Sequence, residues 1–314
     1  NQAHVYPLGA ITVGLKGHVL TEMAELTEAG CVAFSQADVA ITDTNVLLRA
    51  MQYARTFDYA LWLRPQDPWL AADGVAASGA MATRLGLNGI PEQAETLALQ
   101  TIFELQRATG ARVHLCRLSS AAGLKLVRAA RAEGLPVTCD VSAHHVHLTD
   151  IDIGYFDSNC RLDPPLRGQR DRDAIRTGLA DGTINPICPD HTPADDDYKL
   201  PPFPEAEAGA TGLELLLSLA LKWARDCRQP PSLAIARVTS EPAKLLGTRA
   251  IASCGQLGLG SQADLCLVDL DEEWMVSADT LLSQGKHTPF LGMELPGKVI
   301  TTIVGGLIAY QTAR

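Results

Sequence analysis

The side chains best suited to chemistry fall into a few short groups. His144, His145 and His147 lie within four residues, and imidazole is a common zinc ligand. Were that stretch extended, His145 and His147 would share a face; the plainer reading is a structural histidine pair following a strand. Asp190-His191 has the make-up of an acid–base pair, but no nucleophile accompanies it, so it reads as a hydrogen-bonded pair without catalytic duty. Ser119 and Ser120, beside Arg117, read as helix N-capping residues. Asp195, Asp196 and Asp197 read as a solvated loop, the alternative being an acidic dock for a basic partner. Arg167 follows Pro164, Pro165 and Leu166 and is expected to order its neighbourhood by pairing with a carboxylate.

These groups need elements to hold them. From the start to about residue 225, short apolar runs alternate with amphipathic helical periodicity. The runs are His4–Thr12, Cys31–Ser35, Tyr59–Arg64, Arg112–Leu118, Pro136–Ser142 and Ile184–Asp190. The periodicities are Val19–Ala29, Asn45–Tyr53, Glu92–Ala108, Ala121–Glu133 and Arg170–Ala180. Pro91 suits the first turn of the third helix, and Gly110 and Gly134 suit left-handed C-caps. Strands alternating with helices imply parallel pairing through right-handed crossovers. Without a Gly-rich phosphate fingerprint, the pattern favours an α/β barrel of the TIM type, whose function sits at the C-terminal strand ends. Beyond residue 245 the texture changes. Ala263–Asp269, Glu273–Val276, Lys298–Val304 and Gly306–Gln311 read as short strands of a small β-sandwich-like domain, dividing the chain into 1–245 and 246–314. The segment Asp195–Gly212 reads as a loop over the barrel mouth.

Composition narrows the function classes. The chain has 314 residues, 46% of them hydrophobic, and a formal net charge of −10, with no Lys/Arg cluster to attract nucleic acid. The most apolar segment, Leu213–Ala224, contains Glu214 and Lys222 and is too short to span a bilayer. A cytoplasmic protein is expected, with neither nucleic acid nor membrane as partner. Eight cysteines contain no C-x-x-C pair, and Cys31, Cys116, Cys139, Cys188 and Cys266 sit in strand-like runs. Buried reduced thiols are the expectation. The opening at Asn1, leading almost directly into a strand-like run, reads as a piece of a longer chain.

Several segments, taken in order, carry a family likeness. Asp190-His-Thr-Pro resembles the Asp-His-Ala-Pro at the last barrel strand of dihydroorotases, members of the amidohydrolase superfamily. Ala143-His-His-Val-His-Leu148, Leu162-Asp-Pro-Pro-Leu-Arg167, Gly209-Ala-Thr-Gly-Leu-Glu214 and Ser240-Glu-Pro-Ala-Lys-Leu-Leu-Gly247 follow in the family's order. So do Gly260–Asp269 and His287–Gly292. The resemblance implies a (β/α)8 barrel with a small β domain, and roughly another hundred residues before Asn1, carrying the first strands, a His-x-His metal pair and a substrate-holding arginine. It also implies a zinc-bound hydroxide that opens or closes a cyclic amide, with a strand-end aspartate moving protons.

Position by position, the implied chemistry is mostly missing. The family's bridging ligand falls on Ala37, and its two single metal histidines fall on Arg64 and Arg117. Only Asp190, the family's proton-moving base and last ligand, is retained. Asp38 lies one place from the bridging position and would face the other way on a regular strand. Of the positions the family uses for substrate, Gly209 is kept, while Asp163 replaces an asparagine and Ala194 a histidine. Guanidinium has donors only and stays protonated, so it does not ligate zinc. One such charge about 5 Å from a divalent ion costs about 6 kcal/mol at an effective dielectric of about 20. The expectation is therefore no metal, with Arg64 and Arg117 filling the old cavity and Asp190 or Asp67 balancing them.

Two functions follow from the resemblance. One is a non-catalytic dihydroorotase homologue, a pseudoenzyme like the metal-less chains that accompany the catalytic chain of aspartate transcarbamoylase in pyrimidine biosynthesis, itself a homo-oligomer. The alternative is an active zinc-dependent dihydroorotase interconverting carbamoyl aspartate and dihydroorotate. A weaker third is a metal-free anion binder clamping carboxylates with Arg64 and Arg117.

Overall fold

Five short strands run parallel and lie side by side in chain order: Leu8–Ala10, Ala33–Ser35, Ala60–Leu63, Arg112–Leu115 and Val137–Cys139. Their registers are Leu8 to Ala33, Phe34 to Leu61, Leu61 to Val113 and Val113 to Val137, so the strands step regularly around a curved sheet. The chain continues into Val141–Ser142, which pairs in parallel with Ile187–Cys188. The computed structural model describes residues 3–250 and 254–312, without the side chains of 247–250. Within that span the architecture is α/β, a parallel barrel wall with a small antiparallel β unit.

The outer helices form where capping chemistry allows them. Asp43 accepts from the Asn45 and Val46 amides and starts Thr44–Phe57, which ends at Asp58 with φ 57°. Ser120 caps Ala121–Ala132 through the Gly123 amide. Gln93–Thr109 stops at Gly110, where φ is 66° and only glycine sits without strain. The helices Met23–Glu28 and Gln169–Asp181 also match their periodicities, within a few residues at each end. Their apolar faces meet the sheet in a core that includes Phe34, Leu61, Leu99, Leu115, Leu124 and Trp223, all buried. Between Pro68 and Ile90 two short helices and a two-stranded parallel pair, Ala76–Ala77 with Gly89–Ile90, interrupt the alternation.

Several boundaries differ from expectation. Each barrel strand is shorter than its apolar run; the Pro7 carbonyl, for instance, still accepts from the Val32 amide at 3.0 Å, but proline has no amide hydrogen to carry the ladder back toward His4. The tail strands Ala263–Asp269 and Glu273–Val276 form one strand, Leu265–Met275, with an irregularity between Asp269 and Glu273. It pairs antiparallel with Glu294–Val304, which pairs with Leu307–Gln311. The loop Asp195–Gly212 contains a helical turn, Asp196–Lys199, closed by the Lys199 ammonium donating to the carbonyls of Ser158, Arg161 and Glu207. All eight cysteines are free thiols; Cys139 and Cys160 are buried as expected, Cys31, Cys116, Cys188, Cys227 and Cys254 are only half-buried, and Cys266 is exposed.

Candidate functional site

The strand ends converge at one mouth, and three of them finish in the same unusual way. Ala37, Arg117 and Asp190 have φ of 52°, 55° and 47°, a left-handed conformation uncommon outside glycine. Each follows its strand by two residues. Such residues gather at functional sites, where the fold sustains the local strain of order 1–3 kcal/mol.

This turn corrects the expectation for Asp38. With Ala37 left-handed, the next side chain returns to the mouth, and Asp38 Oδ1 accepts from Arg64 Nη1 at 3.2 Å and from Arg117 Nη2. Arg64 also donates to Gln66 and to the carboxylate of Asp163. Arg117 Nη1 donates to Asp190 Oδ1 at 3.1 Å and to the Asp163 carbonyl at 3.3 Å. Arg64 and Arg117 are 6% and 17% exposed and Asp190 9%, whereas Asp38 is 60% exposed, so the guanidiniums lie inside and the network meets water at Asp38. Its three carboxylates outnumber its two guanidiniums, as a buried cation pair requires. Asp67, the other expected counter-ion, is not involved. It caps Pro68–Ala71 by accepting from the Trp69 and Leu70 amides.

The positions that the resemblance assigns to metal therefore do not suit a divalent ion. Ala37 has no donor atom, the two arginines offer only N–H groups, and the Asp190 oxygen is occupied by Arg117. The substrate positions follow suit. Ala194 is buried and brings only a methyl group. Asp163, joined to Pro164 by a cis peptide, spends its carboxylate on Arg64. Gly209 has φ 134° and a Cβ that would stand 2.4 Å from the Thr192 carbonyl oxygen, so the backbone there requires glycine. The space between Arg64, Gln66, Arg117, Ser119 and Arg167 is only a narrow crevice.

The histidine trio is structural, and it is helical rather than extended. His144, His145 and His147 lie in Ala143–His147, all buried, and their rings point to different partners: Ser142 Oγ, the Pro165 carbonyl and the Leu219 carbonyl. Burial pushes the His144 pKa down to about 4 and that of His147 to about 3. His191 Nδ1 accepts from the Gly212 and Leu213 amides at 3.2 and 3.3 Å, which fixes a loop. Asp195, Asp196 and Asp197 are exposed, with Asp196 reaching His287 at 3.1 Å.

Around the serines, the sequence reading is half right. Ser120 caps its helix, but Ser119 does not. Both hydroxyls and both amides donate to the buried carboxylate of Glu95, a residue with no sequence signal beyond its place in an amphipathic helix. Arg167 donates to Ser119 Oγ at 2.8 Å rather than to a carboxylate.

A second cluster went unnoticed in the sequence. One donor atom each from His114, Cys116 and Asp140 lie within 4.8 Å of one another, just beneath the arginines. The expectation of no metal is thus unsupported for the chain as a whole. The signal was present in His114-x-Cys116, alternate residues of one strand and so on one face.

Comparison with known proteins agrees with this architecture. The amidohydrolase family model matches residues 94–309 and the dihydro-orotase-like model residues 1–122. A dihydroorotase of Citrifermentans bemidjiense is 38% identical over 308 residues, 98% of this chain and 72% of that protein. A dihydroorotase-like protein of Pseudomonas aeruginosa is 40% identical over 309 residues, again 98% and 72%. Among solved structures, the L-hydantoinase of Arthrobacter aurescens superposes with a TM-score of 0.85 at 23% identity, covering 100% of this chain and 71% of that one, a likeness of fold. The chain belongs to the amidohydrolase family, within its dihydroorotase-like branch. No described helix is long and apolar enough to cross a membrane.

Proposed function

We propose that this chain is a non-catalytic dihydroorotase homologue, its former catalytic mouth closed by arginine–aspartate pairs, that serves as a structural subunit for an aspartate transcarbamoylase catalytic chain. The observation that carries the non-catalytic half is the 3.1 Å contact between Arg117 and Asp190: the retained family base is committed to a permanent cation. Releasing it would cost the 17%-exposed Arg117 its more buried carboxylate partner, which is unfavourable. The partner half rests on the resemblance, and the barrel is proposed to act as an oligomer. The anion-clamp reading loses its basis, since both guanidiniums are already neutralised from within.

The comparisons taken alone favour a second reading. Relatives with comparable identity carry the name dihydroorotase, and the family is typically metal-dependent. On this reading the chain is an active, zinc-dependent dihydroorotase. Turnover of dihydroorotate by the full-length protein, above a chelator-treated control, separates the two. We expect none. For the assembly role, the transcarbamoylase is sized with and without this chain; an unchanged particle would refute it.

A further inference from the structure

Below the arginine network, three elements bring further ligand chemistry together, with Asp140 Oδ1 also accepting from the Arg117 amide at 2.6 Å. His114 and Cys116 are two residues apart at the end of Arg112–Leu115, so both side chains face the barrel interior. The neighbouring strand pairs Leu115 with Cys139, which sets Asp140 beside Cys116. Asp140 Oδ2 contacts His114 Nε2 at 2.9 Å, and His114 Nδ1 lies 2.8 Å from Thr138 Oγ1. A fourth donor comes from the strand Ile187–Cys188, where the Cys188 thiol points to Asp140 Oδ1 at 3.5 Å. His114 and Asp140 are almost completely buried.

From this geometry we infer that His114, Cys116, Asp140 and Cys188 form a buried tetrahedral site for a thiophilic divalent cation of the zinc class, separate from the positions the family uses at the mouth. Zinc bonds of about 2.0–2.3 Å place neighbouring donors roughly 3.3–3.8 Å apart. The ion would enter by lengthening the His114–Asp140 contact by less than an ångström and gathering the two sulfurs. Each thiol gives its proton to solvent as its sulfur binds, and the proton between His114 Nε2 and Asp140 moves to Nδ1, which then donates to Thr138 Oγ1, so coordination releases two protons with no change of redox state. The His114 ring is already oriented through its second nitrogen by Thr138, the outer-shell contact that metal-bound histidines characteristically make.

Charge resolves the apparent conflict with the arginines. At the mouth, a divalent ion held by neutral histidines and one aspartate would face two further cations. Here two thiolates and a carboxylate around a divalent ion leave a net negative site, and Arg64 and Arg117 above it become stabilising. Both already act in that sense, opposing the burial that pushes the Cys116 and Cys188 thiols up, Arg64 on the first and Arg117 on the second. Access need not pass them. His114 lines a cavity of about 810 Å³ shared with Tyr59, Trp62, Arg112 and Thr138, at the end of the sheet where the strands begin.

The test is cobalt titration of the full chain, stripped of metal and held reduced under nitrogen. One equivalent should produce sulfur-to-cobalt charge-transfer absorption and the intense visible bands of tetrahedral Co²⁺, with displacement by zinc. Cys116→Ser and Cys188→Ser should each roughly halve the charge-transfer band, and Asp190→Asn should leave it intact. Circular dichroism of each variant checks folding, and should Cys116→Ser not fold, His114→Asn and Cys188→Ser are judged by the same bands. Weak octahedral spectra without charge transfer, or bands lost only in Asp190→Asn, would overturn the assignment. The outcome does not depend on whether the mouth is catalytic.

Discussion

Arg117 and Asp190 meet at 3.1 Å across the barrel mouth, from strand ends 73 residues apart in the chain. Both have left-handed backbones, so each is held in an uncommon conformation that aims it at the other. The contact joins the two strand ends. Its energetics are open to measurement by a double-mutant cycle.

Replacing Asp190 with Asn, or Arg117 with Ala, should lower stability by about 2–4 kcal/mol, since each leaves a buried charge short of its partner. The cycle should return a coupling of about 1–2 kcal/mol, below the single losses because Asp38 also serves Arg117. Urea unfolding of the four proteins gives the number. A coupling indistinguishable from zero would mean the contact holds nothing together.

Acidification should weaken the fold before the carboxylates titrate. The His144 and His147 pKa values are lowered to about 4 and about 3, chiefly by burial, against about 6.5 in an unfolded chain. Between these values the unfolded state binds more protons, so stability is complete above about pH 7 and falls as pH drops through 6.5 toward 4. For His144 the full effect is about 3 kcal/mol. Urea midpoints at pH 7.5 and 5.5 report it. His147→Gln, which can still donate to the Leu219 carbonyl, should show a shallower decline; identical slopes would remove His147 from the account.

Gly209→Ala should destabilise by about 1–3 kcal/mol and displace the mouth loop. The added methyl would lie 2.4 Å from the Thr192 carbonyl oxygen, at a φ of 134° that side chains avoid. Thermal melting and limited proteolysis of the 192–212 segment are the readouts. A variant as stable as the parent would show that this loop relaxes freely.

Glu95→Gln should be among the more damaging conservative changes. Glu95 accepts four hydrogen bonds from Ser119 and Ser120, and an amide nitrogen would oppose two of those donors. A loss of about 2–3 kcal/mol is expected. Its absence would imply that the Ser119–Ser120 turn is supported from elsewhere, for instance by Arg167.

Much of the architecture could be read from one dimension. Alternation of apolar runs with amphipathic periodicity marked the barrel strands and their helices, because burial on both faces of a parallel sheet leaves a local imprint. The ordered family motifs likewise identified Ala37, Arg64, Arg117 and Asp190 as the positions that matter, and elementary ligand chemistry identified the arginines as hostile to metal there. What remained hidden depends on direction and distance. Asp38 rather than Asp67 neutralises the arginines because one left-handed residue, Ala37, reverses the facing that strand alternation would assign. Asp163 joins them from a loop 99 residues beyond Arg64. Glu95 and the His114–Cys116–Asp140 cluster were invisible for the same reason: their meaning comes from neighbours on other strands and helices, and proximity between elements distant in sequence arises only when the sheet curves and closes its interior.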